Sequence, residues 1–316
     1  MATSGIYTFS RNRDQIIKAA ARKVGAIESG ETIDSDTNAD FAEGLNGMVK
    51  HWQGTGIHIW TMSEGILFLQ ADQTRYTLGT GTTDNVTDSY LQFELSVAAA
   101  SGATTLTVAS TAGMLPGQVI GVQVDDGSFF WTTILGGGTT TTVVLVAGID
   151  DSASEGAVII TYTSTIVRPL KIVSARRFNY TSEIETPIDI EDRESYFDLP
   201  LKSGAGTPNL LFYDRRGGAN ATGYLYFWQP ETSPADAIKF TWARPIQDFN
   251  AAGDDPDFPQ EWTQCLIFNL ALVMAPEYDV PPIKFSMIKG FADTYLAQMQ
   301  WNEMELEAIS FVPARR

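Results

Sequence analysis

The stretch TTLTVASTAGMLPGQVIGVQVDDGSFFWTTILGGGTTTTVVLVAGIDDSASEGAVIITY, residues 104–162, decides the fold class. It holds no Lys, Arg or His, and neither does the rest of the interval between Arg75 and Arg168. β-Branched and aromatic runs alternate with turn residues, a pattern that favours short strands over helices. Strands are predicted at Thr104–Val108, Val119–Val124, Phe129–Leu135, Thr141–Val146 and Ala157–Tyr162. Between them Pro116-Gly117, Asp125-Asp126-Gly127, Gly136 to Gly138 and Asp150-Asp151 supply turn chemistry. Strands at such spacing predict an antiparallel β-sandwich or barrel-like domain inserted at residues 86–165.

Outside that interval the period changes. Ile16, Ile17, Ala20, Ala21 and Val24 fall on one helical face with Lys18, Arg22 and Lys23 opposite, which predicts a helix over 12–25. Phe41, Leu45, Met48, Val49 and Trp52 predict a second over 37–53, stopped by Gly54 and Gly56 and pairing with the first as a hairpin. Short strands follow at Ile57–Met62, Ile66–Leu69 and Arg75–Leu78. Beyond the inserted domain, mixed composition returns with Arg168-Pro169-Leu170-Lys171-Ile172. A short helix is predicted from Asp192, and strands at Asn209–Tyr213, Tyr224–Trp228 and Ala237–Trp242.

Two helices, 258–275 and 282–305, close the pattern, the first opened by a capping box of Asp257 and Gln260. Apolar residues surround 262–275 on every side, which places it at the centre of the fold or of an oligomer interface. Ile283, Met287, Phe291, Tyr295 and Met299, four apart, form an apolar stripe on the last helix, and residues 307–316 form an extended tail. The expected class is α+β. A helical body with short strands, residues 1–85 and 166–316, is interrupted by the β-domain and ends in that tail.

Composition narrows the chemistry. A formal net charge of −17 argues against nucleic acid as a tightly held ligand, because phosphate binding needs clustered Lys and Arg. The single cysteine, Cys265, permits neither a disulfide framework nor a thiolate metal site within one chain. Residues 1–12 lack the basic start and apolar run of a secretory signal, so synthesis in a cytoplasm is expected. The run Cys265–Ala275 is too short to span a bilayer.

Asp34, Asp36, Asn38 and Asp40 alternate like calcium ligands, but Ala39 and Leu45 occupy the decisive Gly and Glu positions, which leaves an acidic helix start. Gly136 to Gly138 lacks a following Lys and reads as a hairpin turn. With His51 and His58 the only histidines, a nucleophile has few candidate bases. Glu64, Asp72, Asp189, Glu191 and Asp192 offer carboxylates, but no spacing selects a pair. Phe129, Phe130 and Trp131 are read chiefly as core, with a sugar-stacking face as the alternative. No enzyme activity, cofactor or metal is expected.

Several runs carry a resemblance. Residues 7–20, YTFSRNRDQIIKAA, resemble the opening of tail accessory factors of short-tailed bacteriophages, also called packaged-DNA stabilization proteins or head-to-tail adaptors. Residues 48–53 (MVKHWQ), 167–172 (VRPLKI), 195–200 (SYFDLP) and 253–262 (GDDPDFPQEW), continued to Ala275-Pro276-Glu277-Tyr278, resemble that family in the same order.

The resemblance implies a dodecameric ring in the virion, assembled in the host cytoplasm, between the portal protein and the tail nozzle. Such a ring extends the DNA channel, helps retain packaged DNA and contacts the nozzle and fibres, without sequence-specific DNA binding or a membrane. On this analogy Tyr295, Met299, Ile309, Phe311, Val312, Arg315 and Arg316 would meet the portal, and Trp52, Trp60, Trp262 and Phe268 would lie between subunits. Two alternatives stand beside it, a cell-wall glycan hydrolase of the tail and a glycan-binding decoration module formed by residues 86–165.

Overall fold

The computed structural model describes residues 5, 8–56, 59–180, 182–216, 222–231 and 236–302. The elements begin with α1 (Arg13–Val24), α2 (Ser35–Thr55), β1 (Met62–Phe68), β2 (Arg75–Leu78), β3 (Val86–Thr87) and β4 (Leu91–Glu94). They continue with β5 (Thr105–Thr107), β6 (Val119–Gln123), β7 (Phe129–Thr133), β8 (Thr142–Val144), β9 (Val158–Tyr162), β10 (Lys171–Asn179) and β11 (Glu185–Glu191). Last come α3 (Arg193–Asp198), β12 (Leu210–Arg215), β13 (Gly223–Trp228), β14 (Asp236–Ala243), α4 (Thr263–Met274) and α5 (Pro282–Asn302). The class is mixed α+β and rich in sheet. Two compact units divide the chain, residues 1–61 with 246–316 and residues 62–245.

The first unit is helical. Asn12 caps α1 by accepting from the Gln15 N–H at 2.9 Å, and Gly25, at φ 94°, ends it in the left-handed region that a side chain disfavours. The face read from the sequence, Ile16, Ile17, Ala20, Ala21 and Val24, is the buried one. Asp34 caps α2, accepting from the N–H groups of Asp36 and Thr37 at 3.1 and 3.0 Å. These bonds favour the ionised carboxyl and hold its pKa below the usual carboxylate value, so the helix-start reading of this acidic run is the correct one. The nearly all-apolar α4 packs against α1, α2 and α5 at the centre of this unit.

The polar side of α2 pins the returning chain. Asn46 both donates to the Phe249 carbonyl at 3.1 Å and accepts from the Phe249 N–H at 2.9 Å, and Lys50 Nζ donates to the Ile246 carbonyl at 2.9 Å. The expected capping box does not form. Asp257 instead turns its carboxylate to the Gln247 N–H at 3.1 Å and its carbonyl to Trp60 Nε1 at 2.9 Å, and α4 starts only at Thr263 after a 3-10 turn over Gln260–Trp262.

The second unit holds an eight-stranded sheet in the order β2-β13-β12-β11-β10-β14-β1-β3, curled into a nearly closed, barrel-like form. Every pairing in it is antiparallel except β11 with β12, which α3 connects. Tyr76, Leu211, Leu225, Phe227, Ile238, Phe240 and Trp242 fill one face. Gly65 is required beneath them, because a Cβ there would lie 2.9 Å from the Phe240 ring.

Residues 91–162 form two further antiparallel sheets, β4-β9-β6-β7 and β5-β8, around a separate core of Leu106, Ile120, Val122, Ile134, Val143, Leu145 and Ile159. The two cores of this unit meet at an aromatic seam, where Phe68 lies 4.9 Å from Trp131 and 5.6 Å from Phe129.

Three expectations change. Residues 62–85 and 166–245 do not extend a helical body; they build the large sheet, so the structural break falls after residues 61 and 245, with the inserted strands nested inside the second unit. Of the strand expected at Ile57–Met62, residues 57 and 58 lie outside the described residues, Ile59–Thr61 form a 3-10 turn instead, and β1 begins at Met62. Finally, β10 and β11 supply the middle of a sheet where the sequence showed no strand pattern.

Candidate functional site

α5 leaves its apolar residues on two sides. Ile288 and Ala292 are buried in the helical core, and Tyr295, Leu296 and Met299 are packed partly against it. Ile283 (80% exposed), Met287 (61%), Phe291 (47%) and Trp301 (76%) face water instead. A single large apolar side chain on a surface means little, but four on one helix form a patch that monomeric proteins rarely leave bare.

Neighbouring groups hold this surface in place. Phe291 packs on Phe268 of α4 at 5.2 Å between ring centroids, Tyr295 on the same ring at 5.4 Å, and Lys23 Nζ of α1 lies 4.8 Å over it. Beneath, the buried amide of Asn269 donates to the carbonyls of Cys265 at 2.9 Å and Ala292 at 3.3 Å, joining α4 to α5. That bond accounts for the one polar residue in the apolar run of α4 and leaves Cys265 a buried thiol. The arrangement can bind a complementary apolar surface.

The four aromatic residues assigned to subunit contacts separate. Trp52 and Trp262 are buried, and with Trp60 and Phe258 they form one aromatic cluster inside the helical unit, at 5.7 Å for Trp52–Trp262 and 5.0 Å for both Trp60–Trp262 and Trp60–Phe258. Trp52 and Trp262 are therefore core residues, unavailable to a neighbour. Phe268 alone stays beside the exposed patch. Tyr295 and Met299 are half-buried on α5, while Ile309, Phe311, Val312, Arg315 and Arg316 lie outside the described residues.

Two of the carboxylates considered for glycan hydrolysis, Glu64 and Asp192, have structural roles. Glu64 accepts from Arg176 at 2.7 Å, and Asp192 caps α3 through the Ser195 N–H at 2.8 Å. Asp189 and Glu191 flank Ile190 on β11, opposite Leu210 and Phe212 of β12. The aromatic trio splits as alternation demands, with Phe129 and Trp131 in the seam and Phe130 packed on the opposite core. Gly136 and Gly137 take left-handed φ values of 93° and 84° in the turn joining β7 to β8.

One carboxyl that the sequence did not single out is perturbed. Burial pushes Glu231 up to about 7, the nearby Asp236 charge adds to the shift, and Arg177, paired with Asp236 at 3.3 Å, opposes it. Among the described residues no cluster of His, Cys, Asp and Glu could hold a metal ion, and no helix is long and apolar enough to cross a membrane. No protein-family model and no curated protein sequence matches the chain.

Proposed function

We propose that this chain is a structural subunit of a bacteriophage head-to-tail adaptor, forming a dodecameric ring between the portal and the tail nozzle. The observation that carries the reading is the uncovered apolar face of α5 on a helical unit whose own core is already complete. The sequence runs that resemble tail accessory factors point the same way, and three of them, residues 7–20, 48–53 and 253–278, fall in or beside α1, α2 and α4 of that unit. The helical unit then serves as the adaptor body. Its exposed α5 residues meet a neighbouring subunit or the portal. In this role the chain acts in the virion at the head–tail junction, after assembly in the host cytoplasm, and it acts through surfaces rather than through catalysis.

The test is assembly with purified portal, followed by mass measurement and electron microscopy. A closed ring seated on the portal is expected, with residues 307–316 needed for its attachment. A chain that stays unassembled and indifferent to portal at high concentration would refute the reading.

A further inference from the structure

The outer face of β2, β13 and β12 concentrates positive charge on an acidic chain. Register places Arg75 opposite Tyr226, Tyr226 opposite Phe212, and Tyr224 opposite Asp214, so these side chains share the face turned away from the Leu225–Phe227 core. The rings form a ladder, 5.8 Å between Phe212 and Tyr226 and 6.4 Å between Tyr226 and Tyr224. Guanidinium groups lie over it: Arg75 and Arg216 at 4.8 and 4.7 Å from Tyr224, and Arg193 at 5.4 Å from Phe212. Arg168 reaches the Arg216 carbonyl at 2.6 Å.

Asp214, nearly buried, is the carboxylate at the centre, pairing with Arg193 and, at 3.3 Å, with Arg216. Two of the four guanidiniums thus share one carboxylate, and Arg75 has no acidic partner among the described residues. Stacking holds a guanidinium in place while leaving its N–H groups free for an incoming anion.

The complementary surface lies on the same chain. Residues 76–167 carry eight acids, Asp84, Asp88, Glu94, Asp125, Asp126, Asp150, Asp151 and Glu155, and no Lys, Arg or His. Five of them gather on one exposed rim, because Asp125 accepts from the Ser152 hydroxyl at 2.6 Å and the Ser154 N–H at 2.9 Å and so ties the β6–β7 turn to the loop before β9. Among the described residues no ion pair joins Asp125, Asp150, Asp151 or Glu155 of this rim to the arginines within one chain. A ring requires two different patches that fit each other, since a self-complementary patch closes a dimer instead.

We infer that the arginine face of one subunit receives the acidic rim, Asp125, Asp126, Asp150, Asp151 and Glu155, of the next, an inference that rests on the ring reading above. A compact rim fits the patch better than a nucleic-acid strand does. Asp189 and Glu191 on β11, and Asp192, Glu194 and Asp198 around α3, border the arginines and would oppose a long polyanion.

The test uses two full-length variants, one with Arg75→Glu and Arg168→Glu, which leaves the Asp214 pairs intact, and one with Asp126→Lys, Asp150→Lys and Glu155→Lys. Their fold is checked by urea unfolding, and ring formation on purified portal is titrated against chain concentration. Each variant alone should need roughly tenfold more chain than the native protein to form rings, and an equimolar mixture should recover the native requirement because the reversed patches fit each other. Either variant assembling like the native chain, or a mixture no better than its parts, overturns the inference. So does native binding of a DNA duplex that disappears in the arginine variant while its rings form normally, which would assign the face to nucleic acid. Native chain that forms no ring at all sinks the ring reading itself, whereas rings indifferent to both reversals sink only the pairing of these two surfaces.

Discussion

Replacing Ile283 and Met287 together by Asp separates the role of α5 in assembly from its role in folding. Their side chains are 80% and 61% exposed, so the free subunit loses little packing. Surface changes of this kind stay within about 0.5 kcal/mol, and an Asp at position 283, in the first turn of α5, gains from the helix dipole. In the ring the same area is removed from water. Full burial of such a side chain is worth about 1.5–3 kcal/mol, so the exposed fractions of the two give about 2–4 kcal/mol per contact, before any cost of desolvating the new carboxylates. That corresponds to roughly 30- to 700-fold weaker association. Urea unfolding should return a near-native midpoint, while titration with purified portal, read by mass, should show the ring lost. Normal rings from a stably folded double variant would refute the assignment of α5 as an assembly surface.

Trp262→Ala should behave in the opposite way, destabilising the isolated chain by about 3–5 kcal/mol in urea, because Trp52, Trp60 and Phe258 all pack on that ring; a change near zero would return Trp262 to the surface. Asn269→Asp should cost about 2 kcal/mol or more at neutral pH, since a buried carboxylate would face the carbonyls of Cys265 and Ala292, and an unchanged melting temperature would contradict that geometry. Glu231 is raised in the folded state from 4.5 to about 7, so the native protein binds its proton more tightly than the unfolded chain does. Its stabilising contribution is complete below about 4.5 and is lost as pH rises through 7; melting curves between these limits should show the decline, and Glu231→Gln should remove that part of it.

The helices α1 and α2 were legible because their apolar residues follow a single 3.6-residue period and their ends carry caps, Asn12 with Gly25 and Asp34 with Gly56. The inserted strands were legible because turn chemistry brackets each run. β10 was not. Lys171, Arg176 and Arg177 interrupt its pattern, and the place of the two arginines in a central strand makes sense only once Glu64 on β1 and Glu185 on β11 pair with Arg176 and Asp236 on β14 pairs with Arg177. Those partners are distant in sequence, so no local window contains the compensation.

The α5 stripe misled for a geometric reason. Each four-residue step advances about 40° around a helix, so Ile283 and Met299 are turned about 160° apart. One stripe on paper is two faces in space, the first bare and the second packed. The tryptophans failed differently, since size and aromaticity suit a core and an interface equally and only burial separates them.

Net charge decides how these surfaces must cooperate. Copies carrying a formal −17 repel one another, and added salt screens that repulsion within about 10 Å at 0.1 M. If α5 alone drove assembly, its apolar contact would be indifferent to screening, and salt would strengthen the ring by relieving the repulsion. If Arg75, Arg168, Arg193 and Arg216 receive the acidic rim, salt screens the attraction as well, and those pairs are far closer together than the average separation of like charges on two subunits. The short-range attraction then outweighs the diffuse repulsion. Raising salt from about 50 mM to about 500 mM should therefore weaken ring formation, and the direction of that change, more than its size, discriminates between an interface held by α5 alone and one in which the apolar helix supplies affinity and the charged faces fix the register.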